Sequence, residues 1–527
     1  MKKITALLLL AALVCGLLSG CGSDDEPYVP TGNALYMEGQ DLDEYLAQEE
    51  EPQEFSLAYC PDRSMNPLIG YNHNNRVLFS LIYQGLFGVD NNNNVTPILC
   101  ASYQVSPDNK TWTFYIEPTA CFSDGTALTI EDVLATYQAA QANGYYKGRF
   151  THVNNISASS AGGITFSLNT PYENLPLLLD IPIVKKGEVE ATFPLGTGPY
   201  VFTNGVNGYS LQRNVNWWTT KDIPVRATAI PLVEATTDAE IRDAFEFGDI
   251  GLVCTNPLSG SYAEYRSDYE LWDVDNGIFL YLGLNLTYSD YFKDNDTLRD
   301  ALTYAIDRAA INEKFYRGQA LVATTAVSPE SPYYSASLAS QYGYDSMKFL
   351  DAISGWNPPK DDDGDEQTLR ILVNADDSAR LRAARYIADV LTELGVPAGT
   401  LEYGNSGKTT YEKVLLAGTY DMYLGQTRLS PNNDLSPFFG WGLLASGGLT
   451  NQSIMDMCKE ALANSGNYYN LQQKVAEEAG IIPVLFGRYA VYAERGLFDG
   501  LSPSRDNAFY YSLGKTMEGC KIPTVYD

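Results

Sequence analysis

Hydrophobic positions first repeat with a regular period just past residue 54. Residues 55–59 alternate apolar and polar like a half-buried strand. Ser106-Pro107-Asp108-Asn109-Lys110 is turn chemistry between two strand-like runs, the second covering Thr111–Ile116. Ser123-Asp124-Gly125-Thr126 is a further turn. Thr129 then predicts the cap of a helix with apolar residues at Ile130, Val133, Leu134 and Tyr137. A helix is predicted over 297–310, with Leu298, Ala301, Leu302, Ala305 and Ile306 as its buried stripe. The most informative stretch follows. Residues 369–373 read as a strand, 378–394 as a helix stopped by Gly395, 401–403 as a strand, 411–417 as a helix and 421–424 as a strand. That alternation implies a parallel sheet with crossovers. Ligands of such sheets bind beyond the carboxyl ends of the strands, which singles out Gly425, Gln426, Thr427 and Arg428.

The N-terminus sets the compartment. Lys2 and Lys3 precede an apolar run over 6–18, then Leu18-Ser19-Gly20-Cys21. The run is too short for a membrane span and reads as a signal peptide over 1–20. The small residues before Cys21 resemble a bacterial lipobox, which implies cleavage there and a lipid on the Cys21 sulfur. Residues 24–54 hold eleven acids and no Lys or Arg. With no apolar period, 21–54 reads as an acidic tether spanning about 30 Å. The expected location is the extracytoplasmic face of the cell membrane, reached through lipid alone.

Composition narrows the partners. The chain has 527 residues, a size for two or three lobes, and a net charge of −30. Such acidity repels nucleic acid, so no nucleic-acid partner is expected. Beyond Cys15 and Cys21, six cysteines stand at long irregular spacings (Cys60, Cys100, Cys121, Cys254, Cys458 and Cys520). They permit disulfides or buried free thiols and offer no paired zinc motif. Asp361-Asp362-Asp363-Gly364-Asp365-Glu366 lacks calcium-loop spacing and reads as a solvated linker. The only histidines, His73 and His152, fall in Asn-rich loops, leaving little scope for His-based metal sites or triads. No phosphate-, dinucleotide- or hydrolase-type motif is present. No cofactor, no metal and no catalysis are expected, although abundant carboxylates leave an extracellular hydrolase as the alternative from another class.

Several blocks together resemble family 5 extracellular solute-binding proteins, the peptide-binding components of ABC importers among them. They are Asn66-Pro67, Leu81-Ile82-Tyr83-Gln84-Gly85-Leu86-Phe87, Phe122-Ser123-Asp124-Gly125-Thr126, Gly196-Thr197-Gly198-Pro199-Tyr200, Arg213-Asn214-Val215-Asn216-Trp217-Trp218 and Ala305-Ile306-Asp307-Arg308. The resemblance implies an α/β fold, a periplasmic-binding-protein-like type II clamshell (class C) with an extra N-terminal lobe. Lobe I would comprise 55–83, 183–277 and 491–527, the extra lobe II 84–182, and lobe III 278–490. Hinges are expected near 275–284 and 482–492. The implied partners are a peptide or other small solute and a transporter permease, with the chain acting as a monomer. A sugar, opine, metal chelate or signalling peptide is the alternative cargo, and a receptor or chaperone without an importer the alternative role.

The resemblance also places Tyr71, Asn72 and His73 and the segment 425–428 on the ligand cleft. Peptide-binding members carry a Trp after the Gly and an Asp a few residues on, which pairs with the peptide amino group. Here Gln426 and Leu429 stand in their place, and Asp434 is the nearest acid. Arg428 has two expected roles: a contact for an anionic or carbonyl-rich ligand end, or an internal salt bridge, with Asp434 as partner.

Overall fold

Two long strands, Tyr269–Leu284 and Ile481–Glu494, organise the computed structural model. It describes residues 55–69, 73–206, 208–219, 227–259, 262, 264–293, 296–478, 480–498 and 501–509. The two strands pair antiparallel at the centre of an 11-stranded sheet. On one side, Ile278–Leu284 pairs with Met422–Arg428, followed by Leu369–Asn374 and Ala398–Tyr403. On the other, Ala490–Ala493 pairs with Leu252–Thr255, followed by Leu57–Tyr59, Ala229–Glu234, Gly208–Arg213 and Tyr200–Gly205. The run Ile278-Phe279-Leu280-Tyr281-Leu282-Gly283-Leu284 is apolar throughout because both of its faces are covered. The pairing is interrupted between Asp275 and Phe279 and again between Leu280 and Tyr281. Gly277, inside the first interruption, has φ +72°, a left-handed conformation that glycine adopts without strain.

The predicted strand–helix–strand–helix–strand run is present. Leu369–Asn374 lies between Ala398–Tyr403 and Met422–Arg428, parallel to both. The connecting helices are Ser378–Glu393 and Tyr411–Ala417, and Gly395 takes φ +91° after the first. Side-chain alternation sends Ile371 and Val373 into one core and Leu372, with Tyr423, into another. One boundary differs from the sequence reading. The last strand continues to Arg428 instead of ending at Leu424, because the first long strand extends back to Ile278 and supplies it with backbone partners.

The predicted helix over 297–310 is two helices, Asp296–Ala305 and Arg308–Tyr316. The Asp307 carboxylate accepts the Ala310 N–H at 2.9 Å, and this competing cap ends one helix and starts the next. The break turns Arg308 inward until it is 2% exposed. Its guanidinium donates to the Pro483 carbonyl at 2.7 Å, the Thr303 carbonyl at 2.9 Å and the Thr303 hydroxyl at 2.9 Å. Burial pulls its pKa down to about 9, so it keeps its charge at neutral pH. Arg308 thereby fastens both helices to the second long strand.

The N-terminal motifs pack on one another. Asn66 donates to the carbonyls of Val189 and Ala191 at 2.9 and 2.8 Å. Trp218 donates to Gln84 at 2.8 Å, Asn214 to the Gly198 carbonyl at 2.8 Å and Asn216 to the Ser123 carbonyl at 2.9 Å. Gly196 and Gly198 lie against the end of the helix His73–Ile82, where a Cβ on Gly198 would come within 2.6 Å of the Ile82 carbonyl. Thr129 forms a full capping box with Asp132 on the helix Ile130–Ala142. That helix packs on a four-stranded antiparallel sheet, Cys100–Val105, Thr111–Ile116, Ile164–Leu168 and Val153–Ala158. Asp361 satisfies the N–H groups of Asp363 and Asp365 in an exposed turn, as a linker does. Cys60, Cys100, Cys121, Cys254 and Cys458 are free thiols. Cys21, Cys520, the leader and the tether lie outside the described residues, as do Tyr71 and Asn72.

Candidate functional site

The carboxyl end of the strand Met422–Arg428 opens on a groove of about 1170 Å³. One wall comes from residues 141–170 and the other from residues 427–459. Phe150, Phe438 and Phe439 contribute apolar surface, and Trp441 stands on the rim, 94% exposed and flanked by Gly440 and Gly442. A solvent-exposed indole beside a groove has no packing role and suits an incoming apolar group. The ionisable lining residues are Lys147, Arg428, Lys459, His152 and Asp434.

Asp434 does not pair with Arg428. Its carboxylate lies 3.2 Å from His152 Nε2, which also meets the Ser436 hydroxyl at 2.9 Å. His152 Nδ1 sits 3.2 Å from Asn169 Oδ1. His152 stands in a turn just before the strand Val153–Ala158, in keeping with the loop predicted for it; its ring is buried and joins the two groove walls. His73 begins the helix His73–Ile82 and is not in a loop.

The internal salt bridge of Arg428 is with Asp506. Arg428 Nη2 donates to Asp506 Oδ1 at 3.0 Å, and its guanidinium packs 3.9 Å from the Tyr145 ring centre. The same carboxylate accepts from Arg76, from Arg149 Nη2 at 2.6 Å and from the Tyr145 hydroxyl at 2.5 Å. Arg149, 4% exposed, also pairs with Asp180. Burial alone would raise the Asp506 pKa, but Arg428, Arg76 and Arg149 outweigh it and hold this acid far below the usual carboxylate range. For Asp180 burial prevails over the attraction of Arg149, and the pKa is raised. The neighbouring Arg505 guanidinium occupies the space a side chain on Gly277 would need. A Gly277 substitution would thus disturb both the strand interruption and this charge cluster.

Of the residues singled out from sequence, Thr427 and Arg428 line the groove. Gly425 is buried within the sheet, where a Cβ would come within 2.7 Å of the Tyr281 ring. Gln426 is exposed and paired with Leu280. The sequence reading missed Trp441, Arg76, Arg149 and Asp506. Trp441 between two glycines carried a usable signal, because a large apolar residue on a glycine-bounded turn has nothing local to pack against. The arginine cluster carried none, because its members are scattered over a stretch whose ends, Arg76 and Asp506, are 430 positions apart.

A groove at the carboxyl end of an interior strand, walled by two separately packed regions, is where a clamshell binding protein would hold its ligand. The family model of bacterial extracellular solute-binding proteins, family 5, middle region, matches residues 94–449, and the chain belongs to that family. It is 26% identical over 321 residues to protein XP55 of Streptomyces lividans, covering 57% of each chain. It is 25% identical over 287 residues to the glutathione-binding protein GsiB of Escherichia coli K12, covering 50% of this chain and 54% of that one. The chain thus matches little more than half the length of these curated relatives. The ABC transporter substrate-binding protein CtaP of Listeria monocytogenes superposes with a TM-score of 0.68 at 18% identity, covering 87% of this chain and 98% of that one, a likeness of fold. Among the described residues no helix is long and apolar enough to cross a membrane.

Proposed function

We propose that this protein captures a small solute, a peptide by first preference, in the groove at Arg428 and Trp441, and passes it without chemical change to the permease of an ABC importer. Lipid on Cys21 would hold it at the outer face of the membrane, which fractionation of a Cys21→Ser variant checks. The observation that carries the reading is the groove itself: large, open and rimmed by an indole with no structural duty. The proposed lobes are 55–83, 183–277 and 491–527 for lobe I, 84–182 for the extra lobe II and 278–490 for lobe III; two cores built from residues of lobe III support that division, while a further core runs through lobes I and II together. Closure would bend those strands at Gly277 and the adjoining interruptions, and solute would favour the closed state by touching both walls. Tyr71, Asn72 and His73 remain part of the proposed ligand contact on the strength of the family resemblance. The relative named as glutathione-binding supports a peptide-sized cargo.

Trp441→Ala tests the reading. The side chain is almost wholly exposed, so stability is expected to stay within about 0.5 kcal/mol of the parent. Solute affinity is expected to fall by roughly 1–3 kcal/mol, as for an aromatic anchor removed from a binding surface. Unchanged affinity, measured calorimetrically for a solute recovered with the protein, would remove the groove from the account.

A further inference from the structure

The two walls of the groove touch each other. His152, on the wall from residues 141–170, is buried and reaches the opposite wall. There its Nε2 lies 2.9 Å from the Ser436 hydroxyl and 3.2 Å from the Asp434 carboxylate. Its Nδ1 stays with its own wall, 3.2 Å from Asn169 Oδ1. Just beyond these segments in the chain, the Glu173 N–H donates to the Leu462 carbonyl at 2.8 Å, and the Glu173 carboxylate accepts the Ser465 N–H at 2.6 Å. In the proposed division of lobes, each of these contacts except the one to Asn169 joins lobe II to lobe III.

Asp434 makes the His152 contact depend on charge. Its Oδ1 accepts the Ser436 N–H at 2.9 Å, while its Oδ2 is buried and receives no hydrogen bond among the described residues. A buried carboxylate needs a counter-charge. Of the groove's cations, Arg428 pairs with Asp506 and Lys459 with Asp456, whereas His152 stands at ion-pair distance from Asp434. A neutral His152 ring meets its own needs, donating from Nδ1 to Asn169 and accepting the Ser436 hydroxyl at Nε2. It then sets a lone pair before Asp434 Oδ2. The imidazolium carries a proton on both nitrogens, keeps Asn169 and supplies the charge that Asp434 lacks. The ring thus has two states, and the carboxylate is served in only one of them.

We infer that His152 is a proton-operated clasp: with its proton it ties lobe II to lobe III through Asp434 and holds the groove closed, and without it the closure loosens. The charged ring has Asp434 only when the walls meet, so closure is favoured as pH falls and loses that favour as pH rises. Histidine is the side chain that makes such an exchange between about pH 5 and 8. Tyr172, with its ring centre 6.0 Å from that of His152, and Tyr468 and Cys458, near Asp434, are pushed up by burial and stay neutral there. Lys147, Arg428, Lys459 and Glu173 complete the ionisable groups along this boundary, and their residue types titrate outside that range.

Hydrogen exchange on the intact, solute-free protein decides the matter. The Glu173 and Ser465 amides bond across the boundary without His152. Their protection, corrected for the intrinsic dependence of exchange on pH, therefore reports how far the walls stay together. From pH 8 to 5.5 that protection should rise in the parent, by up to about tenfold per pH unit for one coupled proton, and the radius from solution scattering should shrink. In His152→Gln and in Asp434→Asn both readouts should lose their pH dependence. A flat profile in the parent, or a pH dependence that survives in His152→Gln, overturns the inference; the parent series is decisive by itself if a variant fails to fold. The inference takes from the proposed function only that the walls move. Because no solute is present, its failure leaves capture at Trp441 to be judged on its own.

Discussion

Asp506→Ala is expected to destabilise the folded protein by about 3–5 kcal/mol, the range for stripping the partner from buried charges. Arg76, Arg149 and Arg428 reach this one carboxylate from positions far apart in the chain, and without it three guanidinium groups face one another in a space where Asp506 is 9% exposed. The readout is denaturant unfolding, in which the first transition should move to lower denaturant. The pH dependence supplies a second check with a definite sign. The folded pKa of Asp506 is depressed, so its contribution is fully present above the ordinary aspartate value of about 3.9 and is lost as pH falls from there toward the folded value. The gap between parent and variant should therefore be constant between neutral pH and mild acid and close only in strong acid. A gap that closes well above that range would show that the carboxylate does not carry the cluster.

Arg308→Leu is the second large effect, expected at roughly 2–4 kcal/mol. Leucine fills the volume but leaves the carbonyls of Pro483 and Thr303 and the Thr303 hydroxyl without their donor. Relief from burying a charge offsets part of that loss, which keeps the figure below that for Asp506. Arg308→Lys should recover little, because one ammonium cannot reach both Thr303 and Pro483 in the way the guanidinium fork does. An Arg308→Leu protein as stable as the parent in urea unfolding would show that these bonds contribute nothing net.

These two residues also mark how far sequence reasoning reached. The parallel sheet over 369–428 was legible because its information is local: short apolar runs, one amphipathic helix and a glycine stop. Thr129 was legible for the same reason, since a capping box is written within four positions. The split at Asp307 was missed because the apolar stripe continues through Ile306, and only the competing Asp307 cap and the buried Arg308 interrupt it. The partner of Arg428 could not be read at all. Asp434 was closer in sequence, but the loop after Arg428 carries it to His152, and the ion pair comes from a carboxylate 78 positions away. Pairing between distant charges is decided by how the lobes come together, and no periodicity records that. The motif resemblance reached further than the motifs' local chemistry would allow, because Asn66, Gln84, Gly198 and Asn214 are spent on fastening segments to each other.

The central claim is solute capture at the groove, and native mass spectrometry of protein purified from its own host under mild conditions tests it most directly. The account predicts a native mass exceeding that of the processed polypeptide by one small molecule, which is released on acid denaturation and absent from the Trp441→Ala variant. A native mass equal to that of the polypeptide alone in every preparation, with Trp441→Ala indistinguishable from the parent toward every solute tried, would contradict it.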